Sequence, residues 1–224
     1  SRPIALRAGR HVSLVGYPTG RMRIAPIFLA VGLPLLVSCQ TQQEARGVLT
    51  SQPIVAAPAS APTISLARLL DSLHLDPTTM RFHVDKSERI FEVLVNDTLR
   101  KSYPCVLGEK PVGDKYYQGD RRTPEGTFTF RSKRVHDQWH KFIWVDYPNA
   151  ESWRRYKARQ AKGEIPAGKD IGGEIGIHGV PDGMDHWVDQ AQDWTWGCIA
   201  LRNADVDEIY PYIRPQRTLM EIVP

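Results

Sequence analysis

The 224-residue chain is 42% hydrophobic and 24% charged, a balance that suits one globular domain with a surplus at one end and excludes collagen, a coiled coil and wholesale disorder. Its net charge of +4 invites a nucleic-acid or membrane-surface partner, but the excess is confined to one end. Residues 1–38 hold Arg2, Arg7, Arg10, Arg21 and Arg23 and no acidic residue; the remainder has 24 basic against 25 acidic side chains, which removes the case for nucleic acid. Three cysteines are too few for a disulfide scaffold, although a Cys105–Cys198 bond stays open in an oxidising compartment.

Residues 1–21 show no apolar period and no methionine, which makes them an upstream extension if Met22 is the start. Met22-Arg23 then precedes the uncharged run Ile24 to Val37, whose fourteen residues and two prolines fall short of the roughly 17 to 25 that cross a bilayer. Residues 22–38 therefore read as a signal peptide with a basic start and an apolar middle. Its end, Leu36-Val37-Ser38-Cys39, resembles the lipobox of bacterial lipoproteins, which implies a lipidated Cys39 and a membrane anchor; the alternative is an ordinary secretory signal. Residues 39–79 follow as a tether rich in Gln, Ala, Pro and Ser and then a short amphipathic helix over Ile64, Leu66, Leu69, Leu70 and Leu73, ended before Pro77.

From Arg81 the hydrophobic period becomes two. Phe82 and Val84, Ile90 to Val95 and Thr98 to Leu107 read as three strands, joined by turns at Asp85 to Glu88 and Asn96-Asp97. Thr127 to Phe130 and Phe142 to Val145 add two more. A helix is expected between Asn149 as N-cap and Gly163 as C-terminal stop, then strand from Gly172 to His178 and an extended stretch from Trp194 to Arg202. Asn203 is read as the cap of a last helix carrying Val206, Ile209, Tyr210 and Ile213 on one face, and Leu219 to Val223 as a closing strand. Strands dominate, so residues 80–224 are expected to form a mainly β domain with a few short helices, a sandwich or a partly closed barrel.

The chemistry concentrates in Gly176-Ile177-His178-Gly179 and Asp193 to Leu201. Cys198 directly follows a glycine and precedes an apolar pair, and a histidine stands at the end of a strand-like segment; this is what a thiolate nucleophile and its base look like in sequence. A nearby imidazole lowers a thiol pKa, and the amides around Gly197 can face a developing oxyanion. Each residue has a bland reading beside this one. Cys198 could be a small buried hydrophobe, His178 a satisfied core histidine, and His186 is a rival base that otherwise lines the intervening loop. His178, Asp182, Asp185, His186 and Cys198 could also be written as a zinc set, but no H-x-E or C-x-x-C pair is present, so no metal is expected. Trp194 and Trp196 share one face if extended, where Trp194 either lines a peptide or sugar groove or fills the core.

His178-Gly179 with Trp196-Gly197-Cys198-Ile199 resembles the active-site signature of the YkuD-type L,D-transpeptidases, and Leu107-Gly108, Gly113-Asp114-Lys115 and Gly119 to Phe128 resemble that family's Thr-Pro-x-Gly-x-Phe region. The resemblance covers roughly residues 80–224. It implies an enzyme that acts on peptidoglycan stem peptides without a cofactor; with the lipobox-like end at Cys39 it implies a periplasm-facing lipoprotein of the cell envelope, anchored in the outer membrane. It also implies Cys198 as nucleophile, His178 as base and acid, the Gly179 carbonyl as the group orienting His178, and the amides of Trp196, Gly197 and Cys198 as oxyanion hole. The departure is Ala200, where the family usually carries arginine; Arg202, on the same face of an extended strand, is either a replacement for part of that role or an ordinary surface arginine. The implied reaction is stem-peptide transfer to an amine. Hydrolysis of the same acyl-enzyme by a carboxypeptidase or endopeptidase, and a non-catalytic wall-binding module, are the alternatives.

Overall fold

The computed structural model describes residues 64–224. The upstream extension, signal segment, lipid anchor at Cys39 and tether expected from the sequence lie outside the described residues. Helix α1 (Leu66–Ser72) starts at Ser65, whose hydroxyl accepts the Arg68 amide, and buries Leu66 and Leu70. Three antiparallel strands follow, β1 (Met80–Asp85), β2 (Ile90–Val95) and β3 (Thr98–Pro104). In β1 and β2 the alternation is the expected one: Phe82, Val84, Phe91 and Val93 are fully buried, and each such side chain contributes about 1.5–3 kcal/mol of burial; β3 does not alternate and ends at Pro104, short of the expected Leu107.

After an irregular stretch the chain forms β4 (Gly126–Phe128), β5 (Phe130–His136) and β6 (His140–Val145), helix α2 (Ala150–Ala161), β7 (Gly176–His178), the one-turn helix α3 (His186–Asp189), β8 (Ile199–Ala200), helix α4 (Asn203–Ile209) and β9 (Met220–Val223). The strands make two mixed sheets, one in the order β3-β2-β1-β9-β4 and one in the order β5-β6-β7-β8. The pairs β1–β9 and β7–β8 are parallel. This is the two-sheet form of the expectation and not a closed barrel. Phe82 of the first sheet meets Phe130 of the second edge-on, with ring centroids 6.0 Å apart, inside one continuous apolar core.

Four other local expectations are corrected. Thr127 to Phe130 is not one strand: Phe128 ends β4 in the first sheet and Phe130 begins β5 in the second. The extended stretch Trp194 to Arg202 is strand only at Ile199–Ala200, because its first half turns. Strand Gly172 to His178 is reduced to β7. Asn203 is the first residue of α4 and not its cap; its side-chain oxygen accepts the Val180 amide at 2.9 Å and so ties α4 to the residue after Gly179. Helix α2, by contrast, has the expected Asn149 cap, with Oδ1 accepting from the Ser152 amide at 3.0 Å.

Register in the second sheet decides where the site lies. Ile143, Ile177 and Ile199 form one cross-strand row and are fully buried, so they face the core. The alternate row, Phe142, His178 and Ala200, lies on the opposite face. Cys198, two residues before Ala200, falls at the start of that same face.

Candidate active site

His178 ends β7 and its ring is packed on three sides. Phe142 stacks on it at 5.5 Å and 11°, Trp139 lies 5.3 Å away and Trp194 meets it edge-on at 5.6 Å. The Gly179 carbonyl lies 2.6 Å from Nδ1. A carbonyl accepts and does not donate, so Nδ1 carries the proton and Nε2 keeps its lone pair. Burial pushes the imidazole down to about 4, against the Gly179 hydrogen bond, and His136 adds to the fall. His178 is therefore a neutral base with a fixed tautomer near neutral pH.

Cys198 sits at the end of a turn built by Thr195. The Thr195 hydroxyl donates to the Cys198 carbonyl at 2.7 Å and accepts the Gly197 amide at 3.2 Å. Gly197 has φ +126°, and a Cβ there would lie 2.6 Å from the Arg122 carbonyl oxygen, so no other residue fits. The turn is fastened to the segment that follows β3: Thr195 N donates to Leu107 O, Glu109 N to Thr195 O, and Asp193 accepts the Leu107 amide and the Arg89 guanidinium. The Cys198 thiol donates to the Glu174 carbonyl at 3.5 Å. Burial pushes it up to about 11, opposed by a Gly176 amide hydrogen bond and the Lys115 charge, and Glu174 adds to the rise. The expectation of a thiol lowered by the imidazole is thus reversed in the free protein: the pair rests as thiol and neutral imidazole. Cys105 is a buried free thiol, and no Cys105–Cys198 bond is formed.

Two cavities flank the thiol. One, of about 240 Å³, is aromatic and is lined by Trp139, Phe142, His178, Trp194, Thr195 and the Cys198–Trp196 pair. The other, of about 280 Å³, is lined by Lys115, Gln118, the Gly172–Ile175 segment and again Trp196 and Cys198. Its wall is irregular backbone pinned by buried charge. Asp120 accepts from Lys115 Nζ at 2.8 Å and from the amides of Tyr116, Tyr117 and Arg122. Asp114 accepts from the Glu125 amide, Arg155 and Arg159. Lys86, only 3% exposed, donates to Gly113 O, Thr123 O and Glu125 Oε1. The motif Gly113-Asp114-Lys115 and Gly119 to Gly126 is therefore scaffolding for this wall.

Of the residues singled out in sequence, the structure brings Cys198, His178, Gly179, Trp194, Trp196 and Gly197 together. Trp194 lies against His178 and takes the lining role, while Trp196 stands 69% exposed on the rim. The amide of Gly197 is used inside the turn, whereas the amides of Trp196 and Cys198 have no protein partner among the described residues. Two residues are not brought in. His186 is exposed on α3 against Trp187, and Arg202 reaches away to Asp189, with its Nε 2.6 Å from Oδ1, and toward Asp205; neither lines a cavity. Ala200 is fully buried among Val106, Val180 and Val188. Sequence reasoning missed Thr195, Trp139 and Phe142. A hydroxyl two residues before a glycine is a turn signal that pointed to the first; Phe142 follows only from the pairing of β6 with β7, and Trp139, whose carbonyl accepts the Gly179 amide, from the turn before β6.

A comparison with curated proteins gave no match. Among solved structures, Bd1075 of Bdellovibrio bacteriovorus is similar at 20% identity, covering 65% of this chain and 48% of that one with a TM-score of 0.45. The helical cell shape determining protein Pgp2 of Campylobacter jejuni is similar at 22% identity, covering 64% and 47% with a TM-score of 0.46. An L,D-transpeptidase of Mycobacterium smegmatis is similar at 14% identity, covering 65% and 59% with a TM-score of 0.43. The chain spans about half the length of the first two. The model of the YkuD family, described as an L,D-transpeptidase catalytic domain, matches residues 79–222, more than half of the chain and all of both sheets but Val223. The chain accordingly belongs to the YkuD family of L,D-transpeptidase catalytic domains.

Proposed function

We propose that the protein is a peptidoglycan L,D-transpeptidase that forms an acyl-enzyme on Cys198 and passes the stem peptide to an amine. The observation that carries this reading is the 2.6 Å contact between His178 Nδ1 and the Gly179 carbonyl, which leaves Nε2 as base in the cavity that Cys198 also lines. His178 takes the thiol proton as sulfur attacks the carbonyl carbon, and the amides of Trp196 and Cys198 meet the oxyanion. Collapse breaks the peptide C–N bond; His178 returns its proton to the departing amine and a thioester remains. An acceptor amine then reverses these steps, giving up its proton to His178 and releasing the thiol. Leaving group and acceptor exchange protons with the same imidazole, so both occupy the aromatic cavity and the acyl chain lies in the cavity with Lys115.

No metal or organic cofactor takes part in this scheme. A lipid anchor at Cys39, with the signal segment before it, would hold the domain in the cell envelope near this substrate. Hydrolysis of the thioester is the second reading, favoured by one observation: Ala200 offers no guanidinium and Arg202 is held by Asp189 and Asp205. The test is intact-mass analysis of the protein incubated with a purified tetrapeptide muropeptide. A thioester adduct on the wild type and none on Cys198→Ala is the expected result. Absence of an adduct and of product would leave a wall-binding module.

A further inference from the structure

The two cavities share only two residues in their linings, Cys198 and Trp196. The thiol is the reacting group, so Trp196 is the other residue at the boundary between them. It is 69% exposed, unusual for so large an apolar group, and it is held from one side: the Arg121 guanidinium lies 4.0 Å from its ring centroid, and Arg121 is itself tied to Glu109 Oε1 at 2.9 Å. The backbone that presents Arg121 is built for the purpose. Arg121 has φ +61°, the left-handed region that non-glycine residues rarely adopt, directly beside Asp120, whose carboxylate collects three amides and Lys115. A Cβ on Gly108 would lie 2.3 Å from the Arg121 carbonyl oxygen, so the two backbones are in close approach and only glycine fits at that position.

We infer that Trp196, clamped by Arg121 and Glu109, is the specificity-determining residue that sets whether the acyl-enzyme is resolved by an amine or by water. The inference rests on the acyl-enzyme reading of Cys198. With the acyl chain on the Lys115 side, water can reach the thioester carbonyl from two directions, through the aromatic cavity or past Trp196 from the other. On the aromatic side Trp139, Phe142 and Trp194 favour an organic amine over water, and His178 is there to take the proton. On the other side the lining carries Gln118 and Glu174 beside Ile175 and the stem of Lys115, whose ammonium is taken up by Asp120, so it holds polar groups that the aromatic side lacks. The indole closes that second approach. Its truncation joins the two spaces and lets water from the polar side reach His178. In either resolution the thioester C–S bond breaks, the incoming N–H or O–H proton passes to His178 Nε2 and then to sulfur, and the product is an amide or an acid.

The test is the ratio of transfer to hydrolysis with a tetrapeptide muropeptide and a free D-amino acid as acceptor, followed by liquid chromatography and mass spectrometry. Both products come from one intermediate, so the ratio does not depend on how fast that intermediate forms. Trp196→Ala should lower the ratio tenfold or more, Arg121→Gln by a few-fold through loss of the clamp, and Trp196→Phe should restore most of it. An unchanged ratio in Trp196→Ala, or a wild type that forms the adduct but only hydrolyses it, would overturn the inference while leaving the acyl-enzyme reading standing. Absence of a Cys198 adduct in the wild type would overturn both.

Discussion

Thr195 holds Cys198 from below: its hydroxyl donates to the carbonyl of the nucleophile and accepts the amide of the glycine before it. The side chain is 3% exposed, so the two backbone groups have no water to fall back on. Thr195→Val keeps the shape and leaves both unpaired, which should cost about 1–3 kcal/mol of stability, read by urea denaturation. Thr195→Ser should retain the bonds and most of that stability. Equal loss in both variants would mean that the methyl group and not the hydroxyl is the part that matters.

Thiol reactivity should separate the two cysteines among the described residues. Cys105 is 1% exposed and burial pushes it up to about 12, whereas Cys198 opens on both cavities. Iodoacetamide on a fragment beginning at residue 64 should therefore give one adduct, absent in Cys198→Ala and unchanged in Cys105→Ala. With the Cys198 thiol up at about 11, the labelling rate should climb about tenfold per pH unit between 7 and 9. A plateau by pH 8 would mean a preformed thiolate.

The neutral state of His178 has a signature in stability. Its folded value, about 4, lies below the ordinary 6.5, so between these values the unfolded chain binds more protons. Stability from this group is complete above about 6.5 and is lost as pH falls toward 4, by at most about 3 kcal/mol. Asp205 runs the other way, since burial raises its carboxyl to about 6. Comparing wild type with His178→Gln across this window isolates the histidine; identical slopes would show that His178 is not buried as a neutral ring.

Arg202 is tied to Asp189 and Asp205 and lines neither cavity. Arg202→Ala should change kcat/KM on a tetrapeptide muropeptide by less than about twofold, against the ten- to hundredfold that loss of a charged substrate contact would bring. A loss of tenfold or more would restore Arg202 as the replacement for the arginine absent at Ala200.

What could be read from the sequence depended on whether the signal was local. Helix α2 announced itself through its Asn149 cap, and β1 and β2 through the alternation of Phe82, Val84, Phe91 and Val93, because each of those signals lies within a few residues of the element. Strand β5 did not, since Arg131, Lys133 and Arg134 on an edge strand give no apolar alternation to read. Thr127 to Phe130 alternates correctly and still misleads: the alternation runs on through a change of sheet at Thr129. In the site, Cys198 and His178 were legible from their glycine neighbours. Trp139 and Phe142 were not, because their place beside His178 is set by strand register and, for Trp139, by the turn before β6, about 40 residues away in the chain. The pKa direction of Cys198 was misjudged for the same reason: burial is a property of the assembled fold.

The un-ionised resting thiol of Cys198 bears on how long the free protein keeps its nucleophile. Peroxide attacks thiolates and not thiols, and oxidation beyond the sulfenic acid is largely irreversible. A sulfur held protonated by burial, its hydrogen on the Glu174 carbonyl, is a slow target until a bound acyl donor and His178 draw the proton off together. Chemical durability between turnovers is thereby obtained from the same burial that holds the pair neutral.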